Sequence, residues 1–382
     1  MERPAQPLPQ NSTFRMGHAS AFDWLRACRE CLEQIGPIPR DCNLGFLYLT
    51  DTFADDIPEM LPFLRKKSGI DHWVGCVGIG ICSTGQEYYE TPAMALMLGS
   101  FPQDSFRVFS TIKDGLQDFV LNHGGWYREH QPRFGLVHGD PRNPRTPHLI
   151  ARLSEQMNGT FLVGGLCSSR SDYRQIAGHA TEGGLSGVLF SREIPMASAL
   201  TQGCSPIGGK HVVTEAQRNI LIRIDGRPAL DVFFEEIGEI LTRDLTKVAG
   251  YIFAALPIPG SDADDYLVRN LLGIDLKNRL LAIGESVQEG GPIMFCRRDG
   301  NSARDDLIRT LRDLRRRLPH PPKGALYCSC IGRGRHLFGD ESKELGIIQR
   351  ELGRFPLVGF FANGEISRNR LYGYTGVLTV FL

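Results

Sequence analysis

Short apolar segments alternate with amphipathic segments in three stretches of the chain. Each stretch has the pattern of a strand, a helix, a glycine-rich strand and a further strand. In the first stretch, residues 44–50 precede a segment in which Ile57, Met60, Leu61 and Leu64 follow the spacing of one helix face. This order of elements predicts a β-α-β-β unit.

The same order of elements recurs twice along the chain. Roughly thirty residues separate the starts of the first two strands in each unit, which suits a compact crossover between parallel strands. The predicted helices lie near residues 55–68, 147–158 and 342–353, and the predicted final strands cover residues 92–101, 184–191 and 371–381. We therefore predict three units of one architecture.

The segment between the second and third units has the pattern of antiparallel strands. Strands are predicted at 219–230, 249–256 and 280–296, helices at 231–245 and 303–318, and hairpins near Asp225-Gly226 and Gly290-Gly291. The predicted fold class is α/β, in which repeated β-α-β-β units form mixed sheets with substantial antiparallel content. The length of 382 residues predicts two domains, residues 21–215 and 216–382, after a flexible tail at residues 1–20.

Charge and hydropathy exclude several classes of protein. Basic and acidic side chains number 43 each, so the formal charge is zero, which argues against a nucleic-acid partner. The apolar stretches are shorter than the roughly 20 residues that a membrane-spanning helix needs, and the first residues lack the apolar core of a signal peptide. We predict a cytoplasmic protein without a membrane partner.

The cysteine pattern favours packing over chemistry. Ten cysteines in a cytoplasmic chain are expected to be reduced thiols. Cys28 and Cys31 form a CxxC on an amphipathic helix, which we interpret as two small helix-face residues and not as a zinc site. Cys328 and Cys330 alternate onto one face of a strand, and an enzyme using one of them is an alternative function. We predict no metal site and no catalytic residues.

Glycine-rich loops follow several predicted strands, where ligands bind in open α/β sheets. The candidate ligand-binding residues in these loops are Ser83, Thr84, Ser168, Arg333, Gly334, Asn363, Gly364 and Glu365. Arg333 is predicted to donate to a carboxylate and Glu365 to accept from an ammonium, and Asn363 can do either. These roles suit an amino-acid-like ligand. The alternative is a salt bridge between Arg333 and Glu365 that only joins two loops.

The chain resembles the FIST family over about residues 35–382. In the N-terminal half the resemblance lies in WVGCVGIGICSTGQEYYETPAMALML, HGDPR and LVGGLCSS. In the C-terminal half it lies in DYLVRNLLGID, YCSCIGRG and GFFANGEI, and in the final YGYTGVLTVF. The segment TQGCSPIG is similar to the link between the FIST N and FIST C regions.

This resemblance implies a sensory protein that binds a small ligand, such as an amino acid, without catalytic residues. Since no output module is recognisable in the sequence, the resemblance implies signalling through a separate protein such as a kinase. A subset of the family is associated with haem binding and nitric-oxide sensing through a histidine kinase, which makes haem the alternative ligand. The candidate axial ligands for haem are His138, His179, His211 and His336.

Overall fold

A computed structural model describes residues 13–242, 245, 248–258, 265–340 and 342–382. The strands of the first half are β1 (Phe14–Ser20), β2 (Cys42–Thr50), β3 (His72–Gly78), β4 (Gly80–Ser83), β5 (Gln86–Tyr89), β6 (Ala93–Ser100), β7 (Phe106–Ile112), β8 (Phe134–Gly139), β9 (Phe161–Leu166), β10 (Gln175–Ala177), β11 (Ala180–Thr181), β12 (Leu185–Phe190) and β13 (Met196–Gln202). Those of the second half are β14 (Cys204–Gln217), β15 (Ile220–Ile224), β16 (Arg227–Pro228), β17 (Ile252–Pro257), β18 (Tyr266–Asp275), β19 (Leu280–Ile283), β20 (Pro292–Arg298), β21 (Gly324–Cys330), β22 (Leu357–Ala362), β23 (Glu365–Arg368), β24 (Arg370–Tyr372) and β25 (Thr375–Phe381). The helices are α1 (Trp24–Ile35), α2 (Ile57–Ser68), α3 (Gln117–His130), α4 (Thr146–Gln156), α5 (Ala229–Thr242), α6 (Gly300–Arg317), α7 (Arg335–Phe338) and α8 (Lys343–Leu352).

The three predicted β-α-β-β units are confirmed. In each unit the first strand pairs in parallel with the second, and the two are joined by a crossover that contains α2, α4 or α8. On its other edge the first strand pairs antiparallel with the last strand of the unit, which is β6, β12 or β25. The crossover helices begin and end within two residues of the predicted positions. The α/β class with mixed sheets is therefore correct.

The units exchange hairpins in a closed cycle. The hairpin β4–β5 follows the second strand of the first unit but pairs with β22 of the third unit. The hairpin β23–β24 of the third unit pairs with β9 of the second, and β10–β11 of the second pairs with β3 of the first. The second strand of each unit thus pairs at its edge with a hairpin from another unit. These pairings link the three units to one another.

A glycine lies at the same register position in the second strand of every unit. A Cβ atom at this position would stand less than 2 Å from a backbone carbonyl oxygen of the first strand, closer than real Cβ atoms come. The glycine and carbonyl pairs are Gly75 with Leu47 (1.7 Å), Gly164 with Val137 (1.9 Å) and Gly359 with Tyr327 (1.8 Å). Each parallel pair therefore requires glycine for close approach of the two backbones.

The chain divides into two compact units that differ from the predicted linear domains. One unit is Gln202–Asp305, and the other joins the residues up to Thr201 with Asp306–Leu382. The predicted boundary at residues 215 and 216 does not coincide with this division. The physical reason is strand pairing: β22 bonds to β4 and β23 bonds to β9, so the last part of the chain belongs with the first.

The unit Gln202–Asp305 contains an antiparallel sheet with the strand order β14-β20-β17-β18-β19-β15-β16. The predicted hairpin at Asp225-Gly226 is confirmed, because Ile224 pairs with Arg227 and both turn residues have positive φ, 51° and 75°. The predicted hairpin at Gly290-Gly291 is wrong. The flanking strands β19 and β20 pair with other strands and not with each other, so sheet order overrides the local turn signal.

Two further predictions need correction. The predicted tail at residues 1–20 includes β1, which pairs along its length with β6, while residues 1–12 lie outside the described residues. The predicted final strand at residues 371–381 is two strands in different sheets, because β24 closes the exchanged hairpin and β25 returns to β21. In both cases long-range pairing decides the outcome.

Candidate functional site

Strand β21 presents different chemistry on its two faces, because successive side chains of a strand point to opposite sides. Cys328 belongs to the apolar core that also contains Phe360, as the sequence pattern indicated. On the other face, the hydroxyl groups of Tyr327 and Ser329 point toward helix α8. Since these polar groups are fully buried, they need hydrogen-bond partners within the protein.

The partner of both hydroxyl groups is Glu344 in the first turn of α8. Its Oε1 accepts from the hydroxyl of Tyr327 at 2.7 Å, and its Oε2 accepts from that of Ser329 at 3.1 Å. The same carboxylate accepts from Nε of Arg333 at 2.8 Å and from the backbone N–H of Gly334 at 2.9 Å. Four donors therefore converge on one buried carboxylate, an arrangement that compensates its lost hydration.

Arg333 is also fully buried and forms the ion pair of this site. Its Nη2 lies 2.7 Å from Oε1 of Glu344, and its guanidinium lies 5.1 Å from the centre of the Phe338 ring. The Nη1 atom has no hydrogen-bond partner among the described residues. The predicted alternative of an Arg333–Glu365 salt bridge is wrong, because the ion pair of Arg333 is with Glu344.

Glu365, at the start of β23, is the second buried carboxylate of the site. Its Oε2 accepts from the backbone N–H of Thr375 at 3.0 Å and from the Thr375 hydroxyl at 2.8 Å. Its Oε1 has no hydrogen-bond partner among the described residues. Burial raises the pKa of Glu365 to about 8, although the bonds from Thr375 and the charge of Arg333 oppose the shift. We call Tyr327, Ser329, Arg333, Glu344, Glu365 and Thr375 the strand-end cluster.

The hairpin β4–β5 adds Glu87 and Tyr89 beside this cluster. The Tyr89 hydroxyl donates to Oε2 of Glu87 at 3.0 Å, and it accepts from the backbone N–H of Arg335 at 3.2 Å. Burial and the nearby charge of Glu344 raise the pKa of Glu87 to about 7. The exchanged hairpin thus brings a second carboxyl group with a raised pKa, besides that of Glu365, to the same region.

Of the other predicted ligand-binding residues, Ser168, Asn363 and Gly364 lie near the carboxyl end of β22. Ser168 lies near the carboxyl end of β22, where its hydroxyl donates to the Phe361 carbonyl and accepts from the Ile79 backbone N–H. Asn363 is exposed at the tip of the loop that continues through Gly364 to Glu365. These residues lie in or beside the predicted loops.

Ser83 and Thr84 lie at the opposite end of β22 and do not join the strand-end cluster. Ser83 pairs with Val358, and the Thr84 hydroxyl donates to the Phe355 carbonyl at 2.9 Å and accepts from the Leu357 N–H. Their separation from Glu365 follows from the antiparallel direction of β4 against β22. A ligand at the carboxyl end of β22 would not contact them.

The four histidines predicted as haem ligands lie in different places. His138 is buried, its Nε2 lies 3.1 Å from the Tyr48 hydroxyl, and burial lowers its pKa to about 3. The two ring nitrogens of His211 contact Asp225 and Glu236 at 2.7 and 3.0 Å. His179 and His336 are exposed. The four histidines thus differ in burial and in the partners of their rings, and haem stays the alternative ligand that the sequence suggests.

The alternative of a cysteine nucleophile receives no support from the geometry. Cys328 and Cys330 are buried, and burial together with the charge of Glu365 raises the pKa of both thiols well above the ordinary value. A protonated thiol is a poor nucleophile. Within the described ranges, no group of three or more His, Cys, Asp or Glu residues is arranged to hold a metal ion.

The sequence analysis missed Glu344, Glu87 and Tyr89. The alternation of side chains along β21 could have indicated Glu344. It places Tyr327 and Ser329 on the face opposite the two cysteines, and their hydroxyl groups need a polar partner when that face is buried. The hairpin exchange that places Glu87 here gives no local signal in the sequence.

Across the described residues, no helix has both the length and the apolar character needed to cross a membrane.

Comparison with known proteins identifies the family. An uncharacterized protein of Mycobacterium tuberculosis is 32% identical over 389 residues, which cover 96% of this chain and 99% of the relative. An uncharacterized protein of Mycobacterium bovis is 31% identical over 358 residues, 89% of each chain. Residues 43–227 match the FIST N domain and residues 229–368 match the FIST C domain. With both matches in order along most of its length, the chain belongs to the FIST family.

Proposed function

We propose that this protein is a sensor that binds a small amino-acid-like ligand at the strand-end cluster and relays its occupancy to a separate signalling protein. FIST domains are signalling sensor domains, and both regions of the family are present in this chain. The ligand and the relay are the parts of the proposal that go beyond family membership.

One observation carries the proposal: an acidic and a basic side chain lie buried together with incomplete hydrogen bonding. Oε1 of Glu365 and Nη1 of Arg333 have no hydrogen-bond partner among the described residues. Unsatisfied buried polar atoms cost about 1–3 kcal/mol each, so folded proteins rarely keep them without a role. An ammonium group complements the carboxylate of Glu365, and a carboxylate complements the guanidinium of Arg333.

The two loops that carry these residues also connect the cluster to the surface. Gly334 and Gly364 have φ values of 52° and 122°, backbone conformations that favour glycine. Ile331 and Asn363, near the tips of the same loops, are exposed to solvent. A rearrangement of the loops around a ligand would therefore alter surface that a partner protein can contact, which is how occupancy would be relayed.

Titration calorimetry against a panel of amino acids and their deaminated and decarboxylated analogues tests this function. We expect at least one amino acid to bind the wild-type protein. Glu365→Gln keeps the shape of the side chain but cannot ionise beside a ligand ammonium, so it should weaken that amino acid about tenfold, the value of one charged hydrogen bond. Glu155→Gln, at an exposed glutamate of α4, is the matched control and should not change affinity.

Two results would contradict the proposal. The first is the absence of saturable binding by every member of the panel. The second is equal affinity of folded Glu365→Gln and wild-type protein for a bound amino acid. An absorption spectrum after reconstitution with haem tests the alternative ligand, since a Soret band that is stable to gel filtration would favour haem.

A further inference from the structure

A cavity of about 370 Å³ lies between the end of β7 and the first two turns of α3. Its volume is within the roughly 300–1,000 Å³ that is typical of small-molecule sites. β7 is the edge strand of its sheet, and the strands β12, β8 and β9 separate it from β23, which carries Glu365. The cavity is therefore distinct from the strand-end cluster.

A bulge in β7 shapes one wall of this cavity. The register between β7 and β12 shifts there, so that Ser110 and Thr111 together lie opposite the single residue Ser186. Both Ser110 and Thr111 line the cavity, although successive residues of a regular strand face opposite sides. Bulges re-aim side chains in this way and are frequent beside functional sites.

One face of α3 forms the opposite wall. The lining residues follow the spacing of one helix face and are Asp118, Phe119, Asn122 and His123. The side chains of Asp118 and Asn122 are exposed and have no hydrogen-bond partner within the part of the chain that the structure describes. This wall therefore offers a carboxylate and an amide that a ligand can use.

His123 adds a neutral imidazole to the same wall. Burial and the nearby charge of Arg107 lower the pKa of His123, so at pH 7 the ring has one donor and one acceptor nitrogen. Its buried Nδ1 has no hydrogen-bond partner among the described residues, which folded proteins rarely allow without a role. Since the side chain is only half-buried, rotation of the ring would bring Nδ1 to the cavity.

The loop between β7 and α3 is held in place by two side chains of the segment before α4. Nδ2 of Asn143 donates to the carbonyl groups of Lys113 at 2.8 Å and Gly183 at 2.9 Å. Nη1 of Arg145 lies 2.9 Å from Oδ1 of Asp114. The cavity is thus formed before a ligand arrives, which lowers the entropy cost of binding.

The charges around the cavity balance. The ion pair with Arg145 offsets the charge of Asp114. Of the other lining residues, Lys113 is cationic and Asp118 is anionic. The uncharged polar lining residues are more numerous and are Ser110, Thr111, Gln117, Asn122 and His123. Hydroxyl groups suit such a lining, because each can donate to a carboxylate and accept from an amide or an ammonium.

We propose that this cavity binds a neutral polyhydroxylated compound, such as a monosaccharide, through Ser110 on β7 and Asp118, Asn122 and His123 on α3. The vicinal hydroxyl groups of the ligand donate to Asp118 and accept from the amide of Asn122. This second site goes beyond the proposed amino-acid-like ligand and does not depend on it.

Saturation-transfer NMR with D-glucose, D-galactose and myo-inositol tests the site. We expect at least one of them to bind the wild-type protein saturably. Asp118→Ala should weaken that compound about tenfold and Asn122→Ala about two- to tenfold, the values of a charged and a neutral hydrogen bond. Ser110→Trp should abolish binding, because the indole fills the cavity. Glu129→Ala, at an exposed residue of α3 outside the cavity, is the matched control and should not change affinity.

The site is overturned if none of the three compounds binds saturably, or if folded Asp118→Ala and Ser110→Trp bind as tightly as wild type. Circular dichroism and the melting temperature establish folding, and both substituted residues are exposed. Tighter binding of D-glucuronate or D-glucosamine than of D-glucose would contradict a neutral ligand. Glu365→Gln should leave sugar binding unchanged, and a loss of sugar affinity in that variant would contradict the location.

Discussion

Arg333 and Glu344 form an ion pair with both side chains fully buried, and Nη2 of the arginine lies 2.7 Å from Oε1 of the glutamate. The pair joins the loop after β21 to the first turn of α8. Because Glu344 also accepts from Tyr327 and Gly334, its loss of hydration is compensated by several donors. Neither partner can be removed without leaving a buried charge.

Arg333→Ala should therefore lower the free energy of unfolding by about 3–5 kcal/mol, the cost of breaking one side of a buried pair. Denaturation in urea measures this loss. Arg145→Ala breaks an exposed pair with Asp114 and should cost at most about 1 kcal/mol. The double variant Arg333→Met with Glu344→Gln should recover part of the loss. Equal, small losses for Arg333→Ala and Arg145→Ala would show that the buried pair is not needed.

The acidity of Glu365 predicts how stability depends on pH. Burial raises the pKa of Glu365 from 4.5 to about 8, so the folded state binds this proton more tightly than the unfolded state. The resulting stabilisation is fully present below the unfolded pKa and is lost as the pH rises through about 8. Glu87, with its pKa raised to about 7, acts in the same direction. The free energy of unfolding should thus decline as the pH rises from about 5 to 8.

Glu365→Gln should flatten this decline, because the amide does not titrate. Urea unfolding at several pH values between about 5 and 8 provides the measurement. Arg333 and Cys330 face Glu365, and both are expected to keep their charge states over this range, since burial raises the pKa of the Cys330 thiol. An identical slope for wild type and Glu365→Gln would contradict the raised pKa of Glu365.

Gly164→Ala should destabilise the protein strongly. Its Cβ atom would stand 1.9 Å from the Val137 carbonyl oxygen, so the two parallel strands would have to separate. We expect a loss of at least about 3 kcal/mol, or failure to fold. Gly125→Ala is the control, because nothing lies within 4 Å of its Cβ position in α3, and alanine there should stabilise by about 0.5–1 kcal/mol. Thermal unfolding distinguishes these results, and a melting temperature unchanged by Gly164→Ala would be inconsistent with the close approach.

Cys28 and Cys31 should tolerate alanine better than serine. Both side chains are fully buried on α1, and burial raises the pKa of Cys28 to about 12. A buried hydroxyl without a partner costs about 1–3 kcal/mol, so the double serine variant should melt below the double alanine variant. Metal analysis of wild type should find no stoichiometric zinc. Zinc that is lost in the alanine variant would contradict the packing role.

The repeated pattern of apolar positions determined much of the architecture by itself. Strand and helix periodicities act over a few residues, so the crossover helices and the turn at Asp225-Gly226 could be read locally. Likewise the glycine-rich loops could be placed after strands, which brought Arg333 and Glu365 into one set of candidates. The motifs shared with FIST proteins added the family.

Only the tertiary structure decided which residues meet. The closed exchange of hairpins pairs β4 with β22 and β23 with β9, and these contacts join residues that are far apart in the chain. Hydrogen bonds between distant strands depend on the whole sheet order, which no local pattern encodes. Burial also decided the chemistry of the site. Arg333 and Glu344 form an ion pair in the protein interior. The pKa of Glu365 is raised because desolvation is a property of the folded surroundings and not of the residue.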